Sequence, residues 1–364
     1  MLRKALALLF VFTSMAAFVS CGKTGSHFIY ATIPAANQLA VFREDPFSGV
    51  LTQLAESPYT VGFGPESVVI HPSGKFLYVA NAGQNENDVS LFDINSDGTV
   101  TEVTPRTATG TLPFVMAMDP AGNYLYVANL ASNNLSVYSI NTTTNTSTNP
   151  LGKLTPITGS PFSINLTPKN MQVSPSGKFL YISAASQPTT GLVAVFSVNA
   201  GVPSLVSSSP TPDNDPSGLA IDPKGSFLYT ANATQSSISI YSIAASGALT
   251  QVSQSPLADS QQHPVALIVD PAGAFLYVAN QGSGNISSYS LTSGTGFPVT
   301  VTDSPFGSEA QPSFLAMDPN GKYLFVGNQA TSAGIGAFGV SSGSLNTINT
   351  YSVGNTVASM AVLQ

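Results

Sequence analysis

The phrase Phe76-Leu77-Tyr78-Val79-Ala80-Asn81 decides the fold, because it returns along the whole chain. FIYAT begins at Phe28, YLYVAN at Tyr124, FLYIS at Phe179, FLYTAN at Phe227, FLYVAN at Phe275 and YLFVGN at Tyr323. These seven copies stand 48 residues apart, except for one interval of 55 between Tyr124 and Phe179. Self-similarity at a near-constant period means one stacked structural unit, not a string of unlike domains.

The six copies from Phe76 onward carry the same punctuation. An apolar run lies between two prolines seven residues apart, the second followed by X-Gly, as at Pro65 and Pro72, Pro113 and Pro120, or Pro216 and Pro223. The run reads as strand one, Pro-X-Gly as a tight turn and the repeated phrase as strand two. After a polar loop, VSLFDI from Val89, LSVYSI from Leu135, VAVFSV from Val193 and ISIYSI from Ile238 alternate with period two and read as strand three. A Gly-containing hairpin then leads to strand four, which is expected to end near a Ser-Pro or Thr-Pro such as Pro58, Pro105 or Pro256. Four short strands per repeat make a propeller blade, so the expectation is an all-β, seven-bladed β-propeller with four-stranded antiparallel blades. The chain enters at strand two of a blade (Phe28) and finishes on Thr356-Val357-Ala358-Ser359-Met360-Ala361-Val362, which fits strand one. Its two ends should therefore complete one shared blade and leave no open edge at the joint. The extra residues of the long interval fall in Asn141 to Lys153, expected to be a floppy polar loop.

The chain has 364 residues, 43% of them hydrophobic, with 11 Lys and Arg against 18 Asp and Glu. Such a chain can bury a large core, but its few cations cannot neutralise a phosphate backbone, which excludes nucleic acid as a partner. HExxH, a Walker loop and a cysteine cluster are all absent from the sequence. Gly334 to Gly339 matches the dinucleotide fingerprint literally, yet it occupies a strand-three position with no helix after it and is set aside. His27, His71 and His263 fall in separate contexts, so no metal site and no cofactor are assigned; calcium held by carboxylates and Asn at the mouth remains open.

The first residues are a separate object. Met1 to Lys4 is basic and Ala5 to Val19 apolar, the layout of a secretory signal peptide over residues 1–20. Phe18-Val19-Ser20-Cys21 resembles a bacterial lipobox, with Phe18 in place of the usual Leu. Cys21 is the sole cysteine, so no disulfide can form, and lipidation is the expected use of this thiol. Gly22 after the Cys is similar to the outer-membrane sorting pattern. Residues 21–26 are then lipidated Cys and tether, residues 27–364 the propeller, and the protein is expected outside the cytoplasm on a bacterial membrane, as a monomer.

The phrase Pro-X-Gly-(Lys/Asn/Ser)-Phe-Leu-Tyr-Val-Ala-Asn resembles the lactonase-type seven-bladed propellers, related to 6-phosphogluconolactonases of that fold and to Tyr-Val-Thr-Asn repeat surface proteins. The resemblance spans residues 27 to 364 and implies the fold; activity must come from a site. Enzymatic members of that group imply His, Arg and acidic side chains at the mouth, whereas the propeller here holds two arginines, Arg43 on the far face and Arg106 on the mouth side. No catalytic residue is carried over.

Comparison of the blades locates the variable mouth positions. Just before the first Pro of strand one stand Gly64, Leu112, Thr167, Asp215, His263 and Gln311, and just after it Glu66, Phe114, Lys169, Ser217, Val265 and Ser313. Glu66, Arg106, Lys169, Asp215, His263 and Gln311 are the ligand-binding candidates, with Glu66, Asp215 and His263 able to serve acid–base chemistry. Asn81, Asn129, Asn232, Asn280 and Asn328 read as turn and cap residues, and Asp119, Asp222, Asp270, Asp318 and His71 as caps of the strand-one turns. Acids outnumber cations on the mouth loops (Glu66, Glu86, Asp88, Asp213, Asp215, Asp259 and Glu309 against Lys169 and Arg106), so the mouth is expected to be negative and to repel phosphorylated ligands. The resulting expectation is a membrane-tethered, noncatalytic module binding a small molecule or protein at its mouth; the alternative is a lactone hydrolase, on 6-phosphogluconolactone or a neutral sugar lactone.

Cys21→Ser should release the protein from the membrane fraction into soluble extract, and labelled fatty acid should enter the parent but not this variant. Absence of label from the parent would end the lipoprotein reading.

Overall fold

The computed structural model describes residues 27–83, 86–186, 190–211, 215–308, 311–330 and 334–363. Residues 1–26, on which the signal-peptide and Cys21 expectations fall, lie outside the described residues, as do Asp213 and Glu309. Seven antiparallel sheets are arranged as blades, with strands in sequence order from the channel outward. Blade 2 is representative: Pro65–Ile70, Phe76–Asn81, Asp88–Ile94 and Val100–Ala108. Blade 1 closes the ring from both chain ends, as its innermost strand Ser359–Leu363 pairs with His27–Ile33. Phe28 lies opposite Leu363 and Thr32 opposite Ser359, and the Thr32 hydroxyl both donates to the Ser359 carbonyl (3.3 Å) and accepts its N–H (3.1 Å).

Strand two is buried on both faces, because each face meets a different neighbour. Phe76 to Asn81 are all buried; Leu77 and Val79 pack toward blade 1, while Phe76, Tyr78 and Ala80 pack toward blade 3. The period of two therefore does not separate core from solvent here, but one blade interface from the next. Seven such apolar clusters lie between neighbouring blades, and the ring is closed by Ile29, Ala31 and Phe42 against Phe325, Ile335 and Ala337 of blade 7.

The repeated Tyr adds a directional bond to four of these grips. Tyr30 Oη donates to the Gly98 carbonyl (3.0 Å), Tyr78 to Gly152 (2.7 Å), Tyr181 to Gly247 (3.1 Å) and Tyr229 to Gly296 (2.8 Å). Each acceptor sits in the strand-three to strand-four hairpin of the next blade. At Gly98 the backbone is left-handed (φ 86°) and a Cβ would run into the Phe28 ring, so the hairpin is held by both members of the aromatic pair.

Strand four departs from expectation. In blades 1, 3, 5 and 6 it does not end at its Ser-Pro but breaks there and resumes as a second short piece on the same neighbour, as Leu51–Gln53 and Tyr59–Thr60 do on blade 1's third strand. Pro cannot donate to the ladder. Where the ladder is interrupted, the preceding Ser Oγ serves as acceptor for a strand-three N–H: Val41 to Ser57 (2.8 Å), Val137 to Ser160 (2.9 Å), Ile240 to Ser255 (2.9 Å) and Ser288 to Ser304 (2.9 Å). The inserted loop after Asn141 is also more organised than expected, since Asn141 Nδ2 donates to the carbonyls of Thr144, Asn149 and Pro150.

Two Tyr→Phe changes should separate the grip from mere burial. Tyr126 Oη is buried without a hydrogen-bond partner, whereas Tyr78 Oη makes the shortest of the four bonds at 2.7 Å. In urea unfolding, Tyr78→Phe should cost about 1–3 kcal/mol and Tyr126→Phe nothing or a slight gain.

Candidate functional site

A cavity of about 430 Å³ occupies the central channel and is walled by strand one of all seven blades. Glu66, Phe114, Lys169, Ser217, Val265 and Ser313 all line it. The cause is a repeated bulge: the ladder slips between Pro65 and Ser67, Pro168 and Asn170, Pro216 and Gly218, Pro264 and Ala266, and Pro312 and Phe314, leaving the intervening residue unpaired. Phe114 is skipped in the same way, since Pro113 lies opposite Asn129 and Val115 opposite Ala128. A bulge re-aims its side chain, and here each turns one residue into the channel.

The residues before that proline stand outside the cavity wall. Leu112 (φ 58°), His263 (56°) and Gln311 (62°) adopt the left-handed backbone that precedes the bulge. His263 and Gln311 are exposed at the rim, where the Gln311 carbonyl accepts the N–H of Gln329, a wall residue (2.9 Å). Asp215 joins the site by another route, pairing with Lys169 at 3.0 Å while both remain about one third exposed. Arg106 belongs to the outer strand of blade 2, held by Glu102 at 2.7 Å and Glu86 at 3.1 Å, and does not line the cavity.

Glu66 is left as the distinctive group of the wall. Among the described residues it makes no hydrogen bond or ion pair, and burial raises its carboxyl above the usual glutamate range. The other expected acids among the described residues are engaged locally. Glu86 accepts the Phe63 N–H (2.7 Å) besides Arg106, and Asp88 takes the Asn81 amide (2.7 Å). Asp259 is buried, which raises its carboxyl, and accepts the Gln261 N–H (3.0 Å). The negative character expected of the whole mouth is thus concentrated, within the channel, on Glu66. Gln172 was not anticipated; it lines the wall and clamps blade 4 to blade 5, donating to Leu219 O (2.9 Å) and accepting from Ile221 N (3.2 Å).

The repeated Asn residues are not surface turn caps. All five are fully buried. Four of them clamp strand two to strand three: Asn129 Nδ2, for instance, donates to Asn134 Oδ1 (2.8 Å) and Ser136 Oγ (2.9 Å), and Asn232 donates to Ser237 (3.0 Å) and Ser239 (2.9 Å). The Asp residues of the opposite face do cap turns, as Asp222 Oδ1 accepts Ser226 N and Phe227 N at 2.6 Å each. His71 fills that place in blade 2 and bridges to blade 3, Nε2 lying 2.9 Å from Gly122 O.

The model of the family described as lactonase, 7-bladed beta-propeller, matches residues 35–150, 153–260 and 201–304. Among solved structures, a candidate 6-phosphogluconolactonase of Bacteroides fragilis superposes with TM-score 0.76 at 18% identity, covering 94% of this chain and 99% of that one. The periplasmic gluconolactonase of Pseudomonas aeruginosa gives 0.73 at 19%, covering 93% and 99%. A Lactobacillus plantarum protein gives 0.77 at 19%, with the same coverage. No curated protein matches the sequence. At these identities the structures share the fold.

The raised carboxyl of Glu66 has a stability consequence with a definite sign. Its contribution is fully present below the unfolded carboxyl's range and lost as pH rises through the raised folded value. Glu66→Gln should therefore melt higher than the parent at pH 7.5 and show no gain at acidic pH, as read by thermal melts across that range.

Proposed function

The chain belongs to the lactonase family of seven-bladed β-propellers, and from that premise we propose that its channel takes a neutral, hydroxyl-rich lactone and hydrolyses it with Glu66 as general base. The observation that carries this reading is the unpaired, half-buried Glu66 carboxyl on the channel wall. A base raised above the ordinary carboxylate range is better matched to taking a proton from water near neutral pH. That water would attack the lactone carbonyl, and the ring oxygen would leave as the new hydroxyl. Lys169, held by Asp215, is the cation available to the developing oxyanion, with N–H donors to spare beyond the ion pair.

The same charges argue against a phosphorylated substrate. The one described cation of the wall is already paired, and Glu66 opposes a second anion. The Pseudomonas neighbour's name, a gluconolactonase, supports a neutral substrate, and its periplasmic placement supports export of this chain. Anchoring through a lipidated Cys21 belongs to the same proposal, as does action as a monomer. A noncatalytic module binding the same ring is the second reading, favoured by the absence of His and Arg from the cavity wall among the described residues.

Purified protein should be assayed on gluconolactone and 6-phosphogluconolactone, with binding followed by calorimetry. The proposal expects hydrolysis of the neutral lactone at least tenfold more efficient in kcat/KM than of the phosphorylated one. Glu66→Gln should lower kcat about 10²-fold or more with little change in KM. Saturable binding without turnover would favour the second reading, and efficient hydrolysis of the phosphorylated lactone would overturn the assignment of charge.

A further inference from the structure

On the face opposite the channel mouth, one strand-three position sets blade 1 apart from the other six blades. Two positions after the strand-three aromatic, six blades carry an aliphatic residue, Ile94, Ile140, Val198, Ile243, Leu291 and Val340, each with its N–H on the residue that precedes strand two. In blade 1 that residue is Glu44, and its cross-strand partner is His27. Glu44 has no solvent exposure at all. One carboxylate oxygen, Oε2, lies 3.2 Å from His27 Nδ1, while the other, Oε1, is buried with no hydrogen-bond partner.

The third member arrives from the other end of the chain. Asp318, in the strand-one turn of blade 7, is 1% exposed. It caps that turn by accepting Tyr323 N (2.7 Å) and Asn320 N (3.1 Å), as its counterparts do in other blades. Here, however, one ligand atom from each of His27, Glu44 and Asp318 falls within 4.8 Å of the others. The charges facing Glu44 are those of Asp318 and Asp45, and both repel it. A buried carboxylate with an orphan oxygen beside further acids is a costly replacement for an isoleucine unless something positive compensates it.

We propose that His27, Glu44 and Asp318 form a binding site for a divalent transition ion of the zinc class, which ties blade 1 to blade 7 where the ring closes. One imidazole nitrogen with two carboxylate oxygens suits such an ion better than calcium or magnesium, which favour all-oxygen shells. Three protein donors leave a fourth position for water. Bonds of about 2.0–2.2 Å require the three side chains to draw somewhat closer than they stand, and the orphan Oε1 supplies a donor atom with no competing bond to break. The ion would be a structural clasp. His27 and Glu44 lie near the start of the propeller and Asp318 near its end, so binding cross-links the same joint that strand pairing closes, on the face away from the channel.

The test uses the mature protein, freed of metal by chelation and titrated with Zn²⁺ by calorimetry and with Co²⁺ by visible absorption. The expected result is one equivalent bound, ligand-field bands for Co²⁺ and a rise in Tm with added Zn²⁺. Glu44→Gln, His27→Ala and Glu44→Ile, the last restoring the residue of the other blades, should each weaken binding at least tenfold and abolish the Tm rise. His263→Ala should leave both unchanged. Glu44→Ile folding with a higher Tm than the metal-free parent would show that the loss is not misfolding. Failure of the parent to bind stoichiometrically, unchanged affinity in His27→Ala and Glu44→Ile, or loss of binding in His263→Ala would overturn the site.

Discussion

Everything in this molecule hangs on the contact between an aromatic pair in one blade and a glycine hairpin in the next. The ring of Phe28 covers Gly98 while Tyr30 bonds its carbonyl, and blades 2, 4 and 5 repeat the hydroxyl bond on their own neighbours. A blade alone cannot bury both faces of its second strand, so its stability is borrowed from the blades on either side. The variations are instructive. Tyr126 and Tyr277 present hydroxyls without partners, Ser288 takes the Gly343 carbonyl in place of Tyr277, and Phe325 has no hydroxyl to offer. The aromatic packing is thus common to the whole ring, and the hydrogen bond is an addition that some interfaces do without.

Ring closure follows from the same constraint. Since each interface needs two blades, an open ring would leave two half-buried faces and an unpaired inner edge. The pairing of Ser359–Leu363 with His27–Ile33 removes both at once and makes the two chain ends part of one sheet. At that joint the repeat is also broken chemically, since Glu44 stands where the other blades carry an aliphatic residue.

The channel inherits its chemistry from a backbone irregularity. The bulge after each strand-one proline points six successive residues at one cavity, and sequence variation at those positions then decides what the cavity contains. The scaffold supplies position, and Glu66, Lys169 and its partner Asp215 supply charge. An arrangement of this kind lets substitutions in the ring alter ligand preference without touching the interfaces that hold the blades together.

The repeat spacing, the Pro-X-Gly turns and the alternating third strands determined the blade count, the strand order and the shared closing blade, because these are properties of local pattern and of period. Sequence comparison also found the ring containing Glu66 and Lys169. It does not separate that ring from the one just before the proline, since a bulge is invisible in an apolar run, and so it groups His263 and Gln311 with residues that the backbone turns elsewhere. Nor could it see that Asn81 and its counterparts are buried clamps, that Arg106 is held by Glu102 and Glu86, or that Asp318 meets His27 and Glu44. Those facts depend on which side chains approach across strands and blades, and distances between residues hundreds of positions apart are set by the closed ring, not by the local pattern of the chain.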